Sequence, residues 1–167
     1  MKDIGVVNGR FQVLNLKHME YILAAKMRCQ KLFIGLTNPD TLHTRDSVND
    51  ENRSAKSANP LTYYERYEMI RGAMREFKVP DSEYDILPFP INCPEYILQY
   101  VPKDATFYLG ICDEWDEEKY KILRSLGLDI EILWRKSPAE KGITSSWVRS
   151  CIATDQEWAH LVPKSVY

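Results

Sequence analysis

The chain has 167 residues, of which 44% are apolar and 28% charged, so it can bury the core of one domain and is too short for two domains of ordinary size. Its net charge of -2 and isoelectric point near 6.0 give no general attraction to nucleic acid or to membranes, and neither is expected as a partner. We therefore predict a single domain, residues 1–167.

The four cysteines are widely spaced and form no C-x-x-C pair, so neither zinc nor a disulfide framework is expected. Cys29, which we place on a helix face, and Cys112, at a predicted strand end, have the pattern of small core residues. The first residues show neither a signal peptide nor a long apolar span. These features favour a cytoplasmic protein.

The first half of the chain alternates strand and helix patterns. Residues 4–7 form an apolar run typical of a strand, a polar turn follows, and apolar residues then recur at helical spacing. The run KLFIGLT predicts a second strand, and the succession implies a right-handed parallel crossover. Residues 40–59 lack periodicity and predict a long loop. Its Arg45, Arg53 and Lys56 could clamp a phosphate, although a solvated loop is the more ordinary interpretation.

The second half continues this alternation. A helix is predicted over residues 60–77, with a cap at Thr62 and Glu65 three positions later. Further patterns predict strands over 84–88, 105–111 and 128–134, a short helix within 91–100, helices over 115–126 and after a cap at Thr144 or Ser145, and a short terminal element over 158–167. The order predicts an α/β fold with an open, mostly parallel, Rossmann-like sheet and helices on both faces. Its ligand is expected beyond the carboxyl ends of the strands.

The first predicted strand passes through a glycine-containing turn directly into a helix. Such a connection aims backbone N–H groups and the positive end of the helix at one point, which suits a phosphate. His18 could donate to a phosphate oxygen, although a lone histidine more often caps its own helix or packs in the core. The residues predicted to bind nucleotide at this turn are Asn8, Gly9, Arg10, Phe11 and Gln12.

A second anion-binding pattern, ITSSWVR, lies near the end of the chain. Thr144, Ser145 and Ser146 place three hydroxyls at a helix start, and Arg149 adds a guanidinium on the following turn. Taken alone, the stretch is more typical of an ordinary helix cap with a solvated arginine. The two patterns together are more specific than either.

Gly9, Arg10, Phe11 and His18 resemble the G-R-F-x-P-x-H-x-G-H signature of the HIGH-type nucleotidyltransferases, and residues 143–149 resemble that family's I-S-S/G-T-x-x-R signature. Beside these motifs, the functional interpretation of His18 is favoured. Nearly the whole chain is similar to archaeal-type nicotinamide mononucleotide adenylyltransferases and to related cytidylyltransferase domains that activate phosphonates.

This resemblance implies transfer of a nucleoside monophosphate from ATP or CTP to a small phosphate- or phosphonate-bearing acceptor, with Mg²⁺ assistance and pyrophosphate release. No protein side chain is expected to bind the metal, and a homo-oligomer is expected. Nicotinamide mononucleotide adenylyltransferase activity is the main prediction. The alternatives are a CTP-dependent cytidylyltransferase acting on a phosphonate such as 2-hydroxyethylphosphonate and, from another class, a catalytically impaired nucleotide-binding protein.

The chain departs from the first signature where Val13, Asn15 and Lys17 replace a proline, a histidine and a glycine. In the family, that histidine contacts the α-phosphate, and losing a comparable donor costs about a hundred- to a thousandfold in rate. Asn15 could be a natural variant, the mark of a dead relative, or a His→Asn substitution made to trap a substrate. The otherwise complete pocket favours the last. The resemblance implies catalytic positions at Asn15, His18 and Arg149.

The acceptor is assigned partly by position and partly by resemblance. Asn38 follows the second strand but is equally plausible as a turn residue, and Lys17 could place a cation near an anionic acceptor or be a solvated helix residue. Asn92 and Tyr96 occupy roughly the region that holds the pyridine ring in the adenylyltransferases. Gly110 is assigned to the nucleotide. The residues predicted to bind the acceptor are Lys17, Asn38, Asn92, Tyr96, Asp113, Glu114 and Trp115.

Overall fold

The computed structural model describes residues 1–38, 59–140 and 142–167, and a parallel sheet of five strands lies at its centre. The strands are β1 (Lys2–Gly9), β2 (Cys29–Leu36), β3 (Tyr84–Pro88), β4 (Thr106–Ile111) and β5 (Asp129–Arg135). Their order across the sheet is β3-β2-β1-β4-β5, and each neighbouring pair is parallel. The strand order reverses between β1 and β4, which opens a crevice at their carboxyl ends.

Within the described residues, four α-helices connect or follow these strands, and each begins at a side-chain cap. They are α1 (Leu16–Lys26), α2 (Tyr63–Glu76), α3 (Glu114–Ser125) and α4 (Ser145–Ala153). The capping residues are Asn15, Thr62, Asp113 and Thr144. The predicted pair of Thr62 and Glu65 forms a reciprocal capping box. The elements therefore begin close to where the sequence patterns predict.

Apolar side chains on both faces of the sheet form two main core clusters. Val7 packs among residues of α1 and α2, such as Met19 and Ile70. Val6 packs on the other face with Phe107 and Trp115, the second of which comes from α3. A smaller cluster joins α4 to the turn after β1. This arrangement confirms the predicted α/β sheet with helices on both faces.

Cys29 lies at the start of β2 and not on a helix face, because pairing of β2 with β1 begins at this residue, opposite Lys2. All four cysteines are free thiols.

The loop predicted over residues 40–59, with Arg45, Arg53 and Lys56, lies almost wholly outside the described residues. None of the described helices combines the length and apolar character needed to cross a membrane.

Candidate active site

A cavity of about 360 Å³ opens at the carboxyl ends of β1, β4 and β5, where the strand order reverses. Its walls come from the turn after β1, from α1, from the starts of α3 and α4, and from the residues that follow β5. A cavity of this size suits a small molecule. The predicted site residues that line it are Asn8, Gly9, Arg10, Phe11, Lys17, His18, Gly110, Asp113, Trp115, Thr144, Ser145 and Ser146.

Asn15 and His18 fix each other at the start of α1. The Asn15 Oδ1 atom accepts hydrogen bonds from the backbone N–H groups of Lys17, at 2.9 Å, and His18, at 3.1 Å. In return, the His18 Nδ1 atom accepts from the Asn15 N–H at 3.1 Å. Because Nδ1 is an acceptor, the proton of the neutral imidazole is on Nε2. Nε2 is therefore the ring atom able to donate to a phosphate.

Asn15 itself is fully buried and caps α1. Asparagine is among the best N-cap residues, so the side chain has a structural role at this position. Its Nδ2 atom has no hydrogen-bond partner within the described part of the chain. Asn15 is not among the residues that line the cavity. Its predicted catalytic role stays a prediction.

Hydrogen bonds join the start of α4 to the turn after β1. The Ser145 hydroxyl donates to the carbonyl of Val13 at 3.3 Å, and the Arg149 guanidinium donates to the carbonyl of Gln12. The Gln12 side chain in turn forms two hydrogen bonds with the backbone of Leu61, at 3.0 and 2.9 Å. Burial lowers the pKa of Arg149. Gln12 and Arg149 thus hold together the two segments that are predicted to bind anions, and neither residue lines the cavity.

Arg66, which the sequence analysis missed, joins three segments beneath the site. Its guanidinium donates to the carbonyl oxygens of Arg10 at 3.0 Å, Thr37 at 2.7 Å and Asn38 at 2.9 Å. Arg66 is 1% exposed, and burial lowers its pKa to about 10, so it remains charged near neutral pH. Its position on the buried face of α2, four residues before Ile70, was the signal that could have identified it.

One wall of the cavity carries lysines that sequence reasoning did not bring together. The Lys17 and Lys136 ammonium groups lie 3.0 Å and 3.7 Å from the carboxylate of Glu20. The hydrogen bond from Lys17 is the main reason that the pKa of Glu20 is lowered. Two positive charges share one negative charge, so the wall formed by Lys17 and Lys136 has a net positive charge. We call it the positive wall. The cavity-lining residues that were missed are Tyr21, Thr37, Leu109, Cys112, Asp116, Lys119, Trp134, Lys136 and Ile143.

Trp134 lines the cavity next to Lys136. The Lys136 ammonium lies 4.8 Å from the centre of its ring, and the ring of Tyr21 meets it edge-on at 6.3 Å. A Cβ atom at Gly110 would lie 2.5 Å from the Trp134 Nε1 atom, so the indole can pack here only against a glycine. The absence of a side chain at Gly110 therefore shapes the cavity.

Comparison with known proteins identifies the family to which this site belongs. Residues 6–150 match the model of the family described as cytidylyltransferase-like. The chain belongs to this family. It is 41% identical to the phosphonoformate cytidylyltransferase of Streptomyces viridochromogenes, over 97% of the chain and 87% of that relative. It is 28% identical to the nicotinamide-nucleotide adenylyltransferase of Saccharolobus solfataricus, over 98% of the chain and 87% of the relative.

A solved structure shows the same fold. It is a bifunctional NMN adenylyltransferase/ADP ribose pyrophosphatase from Francisella tularensis, with a TM-score of 0.70 and 14% identity. The match covers 97% of this chain and spans 44% of the length of the bifunctional protein. The relatives named here are cytidylyltransferase and adenylyltransferase enzymes, and this cytidylyltransferase-like chain is a nucleotidyltransferase, as its two motifs predict.

Four residues predicted to bind the acceptor do not line the cavity of this cytidylyltransferase-like domain. The Asn92 Nδ2 atom donates to Asn38 Oδ1 at 3.1 Å, so these two amides contact each other. Tyr96 is largely exposed, and Glu114 occupies the first turn of α3. The roles of these residues in acceptor binding stay predictions.

Proposed function

We propose that the chain transfers a cytidylyl group from CTP to a small phosphonate, of which phosphonoformate is the first candidate. The observation that carries this proposal is the 41% identity, over 97% of the chain, to a phosphonoformate cytidylyltransferase. In the reaction a phosphonate oxygen attacks the α-phosphorus of CTP and forms a new P–O bond. The bond from the α-phosphorus to the bridging oxygen breaks, and pyrophosphate leaves with its electron pair.

The turn after β1 and the start of α4 supply groups suited to hold the triphosphate. His18 presents Nε2 as a donor, Ser146 adds a hydroxyl, and both Ser145 and Ser146 add backbone N–H groups at a helix start. Catalysis of this kind depends mainly on positioning the two anions and stabilising the charge that develops between them. The hydrogen bonds between the turn after β1 and the start of α4 fix the relative position of these two segments.

The positive wall supports a compact anionic acceptor. Lys17 and Lys136 share the single carboxylate of Glu20, so they retain charge for an incoming anion. The ammonium of Lys136 lies against Trp134. An aromatic ring of the acceptor would compete with that cation for the indole, and Tyr96, predicted to stack such a ring, does not line the cavity.

Mg²⁺ is proposed to enter bound to the triphosphate. Across the described residues, no group of three or more His, Cys, Asp or Glu side chains lies close enough together to hold an ion. The donor set thus fits a metal that phosphate oxygens ligate. When bound, Mg²⁺ would neutralise charge on the leaving pyrophosphate.

A second candidate is adenylyl transfer from ATP to nicotinamide mononucleotide. The 28% identity to an adenylyltransferase of that specificity, over 98% of the chain, favours it. A third, nucleotide binding without turnover, is favoured by Asn15, whose side chain serves as a helix cap at a predicted catalytic position. The homo-oligomeric state stays a prediction.

Pyrophosphate release tests these candidates. CTP and ATP are each combined with phosphonoformate, 2-hydroxyethylphosphonate and nicotinamide mononucleotide, in the presence of Mg²⁺. We expect release with CTP and a phosphonate; release only with ATP and nicotinamide mononucleotide would replace the proposal by the second candidate. Nucleotide binding without release in any combination would favour the third.

Two lysine variants refine the result. Lys136→Gln removes a charge from the positive wall and should raise KM for the phosphonate about tenfold, with KM for CTP nearly unchanged. Lys31→Gln is a matched control, since Lys31 forms only a partly exposed ion pair with Asp85 on the sheet, at 2.9 Å. Equal KM values in the two variants would contradict an acceptor site at this wall.

A further inference from the structure

Asn8 is the second-to-last residue of β1. Among the described residues, its buried side-chain amide has no hydrogen-bond partner. The residue is 2% exposed, and neither its Nδ2 nor its Oδ1 atom has a hydrogen-bond partner in the described ranges. An amide can make up to four hydrogen bonds, and burying one that makes none is costly. Asparagine is also depleted in strands. The fold therefore gains no contact that would explain this side chain.

Side-chain alternation along β1 shows which way the amide points. Val7 packs among residues of α1 and α2, whereas Val6 packs on the opposite face with Phe107 and Trp115. Since successive side chains of a strand point to opposite faces, Asn8 lies on the face of Val6. Asn8 also lines the cavity. Its amide thus faces the part of the cavity near the start of α3.

The proposed triphosphate-binding groups approach from elsewhere. His18 belongs to α1, which packs on the face of Val7, and Ser145 begins α4, which packs against the turn after β1. An amide on the opposite face points toward Asp113 and Trp115, which line the cavity at the start of α3 and are predicted to bind the acceptor. Its N–H atoms can donate to an oxyanion, and nothing in the described protein competes for them.

We propose that Asn8 recognises the acceptor, by donating a hydrogen bond from Nδ2 to an oxygen that does not attack the α-phosphorus. This inference rests on the proposed function for the class of acceptor, a small phosphonate. It makes Asn8 a specificity-determining residue of the acceptor subsite. Under this proposal the desolvation of the amide, which is unfavourable for folding, is compensated when the acceptor binds.

Two opposite effects are expected when the amide is removed. Asn8→Val should raise the Tm by about 2–6 °C, because an apolar, β-branched side chain suits a buried strand position. The same variant should raise KM for the phosphonate at least tenfold and change KM for CTP less than threefold. Asn8→Asp places a carboxylate in the same volume. Its negative charge should repel the anionic acceptor and weaken acceptor binding further.

Thr106→Val is the matched control. Thr106 is also a buried polar residue of the sheet, but its hydroxyl has a partner, since it donates to Asp129 at 2.9 Å. It lies at the other end of the sheet from the cavity. This variant should lower the Tm and leave both KM values unchanged.

The experiment combines thermal unfolding with steady-state pyrophosphate release. An Asn8→Val protein with a lowered Tm and an unaltered acceptor KM would show that the amide is structural, and the proposal would fall. A rise in KM for CTP instead of the acceptor would assign Asn8 to the nucleotide and also overturn it.

A wild-type protein that works only with ATP and nicotinamide mononucleotide would refute the proposed function separately. The KM comparison with that acceptor would then decide the role of Asn8. If the wild type turns over no pair, the Tm shift caused by phosphonoformate becomes the readout. A shift that is present in the wild type and lost in Asn8→Val supports the proposal, and no shift in the wild type overturns it.

Discussion

Replacing Arg66 by methionine should destabilise the protein by about 3 kcal/mol, because methionine cannot donate to the carbonyls that the guanidinium contacts. Three of its hydrogen bonds join α2 to other segments, with donor–acceptor distances of 3.0, 2.7 and 2.9 Å. Hydrogen bonds from a charged donor contribute roughly 1.5–3 kcal/mol each, or about 5–9 kcal/mol together. The substitution also removes a buried charge, whose desolvation destabilises the native protein by several kcal/mol. Subtracting this amount from the hydrogen-bond energy leaves the net loss of about 3 kcal/mol.

Equilibrium unfolding in urea measures this loss. The slope for a chain of this size is about 2 kcal/mol per molar urea, so the midpoint should fall by about 1.5 M. Arg75→Met is the control on the same helix, since Arg75 is exposed and its ion pair with Asp81, at 3.5 Å, should contribute less than about 1 kcal/mol. Equal midpoints for the two variants would refute the reasoning.

The same substitution should also affect the nucleotide. Arg66 holds the carbonyl of Arg10, which lies in the turn that lines the cavity. In Arg66→Lys the charge is retained, but one ammonium cannot reproduce the planar fork that reaches three carbonyls. Stability should be intermediate, and KM for the triphosphate should rise in both variants. A KM identical to that of the wild type in both would show that the contact stabilises the fold without positioning the turn.

Three further outcomes are expected. Asn15→His should raise the rate of pyrophosphate release at least tenfold while lowering the free energy of unfolding by about 1 kcal/mol, since a strong helix cap is lost; an unchanged rate with a proven substrate would remove Asn15 from catalysis. Burial raises the pKa of Tyr108 from 10.0 to about 12, so its contribution to stability is complete below pH 10 and is lost as the pH rises toward 12. Urea midpoints across this range should therefore fall less steeply in Tyr108→Phe, and parallel curves would contradict the shift. Chelation of Mg²⁺ by EDTA should stop pyrophosphate release without changing the urea midpoint, and residual release would exclude the metal from the reaction.

Local patterns in the sequence were enough to predict the elements of the sheet and to single out the turn after β1 and the start of α4. The turn after β1 and the start of α4 are each contiguous, so their glycine, hydroxyl and cap residues can be recognised without knowledge of the fold. The cap at Thr62 was predicted in the same way. Cys29 was misplaced because a strand that follows a helix after two residues leaves no clear boundary in the sequence.

The positive wall could not be predicted, because its residues come together only through the order of the strands. Lys17 belongs to α1 and Lys136 follows β5, and they approach each other because β4 lies next to β1 and β5 lies next to β4. Arg66 was missed for a related reason, since its three carbonyl partners lie 28 to 56 residues away. Helical spacing could mark Arg66 as buried, but it could not show which carbonyl oxygens the guanidinium contacts.

The contact between Gly110 and Trp134 limits the order in which this wall can evolve. Any side chain at position 110 would collide with the indole while Trp134 is present, whereas the loss of the indole leaves the glycine unstrained. A lineage that reshapes this part of the pocket must therefore change position 134 before position 110. The two positions should show strongly non-additive effects, because a side chain introduced at position 110 alone would displace the indole.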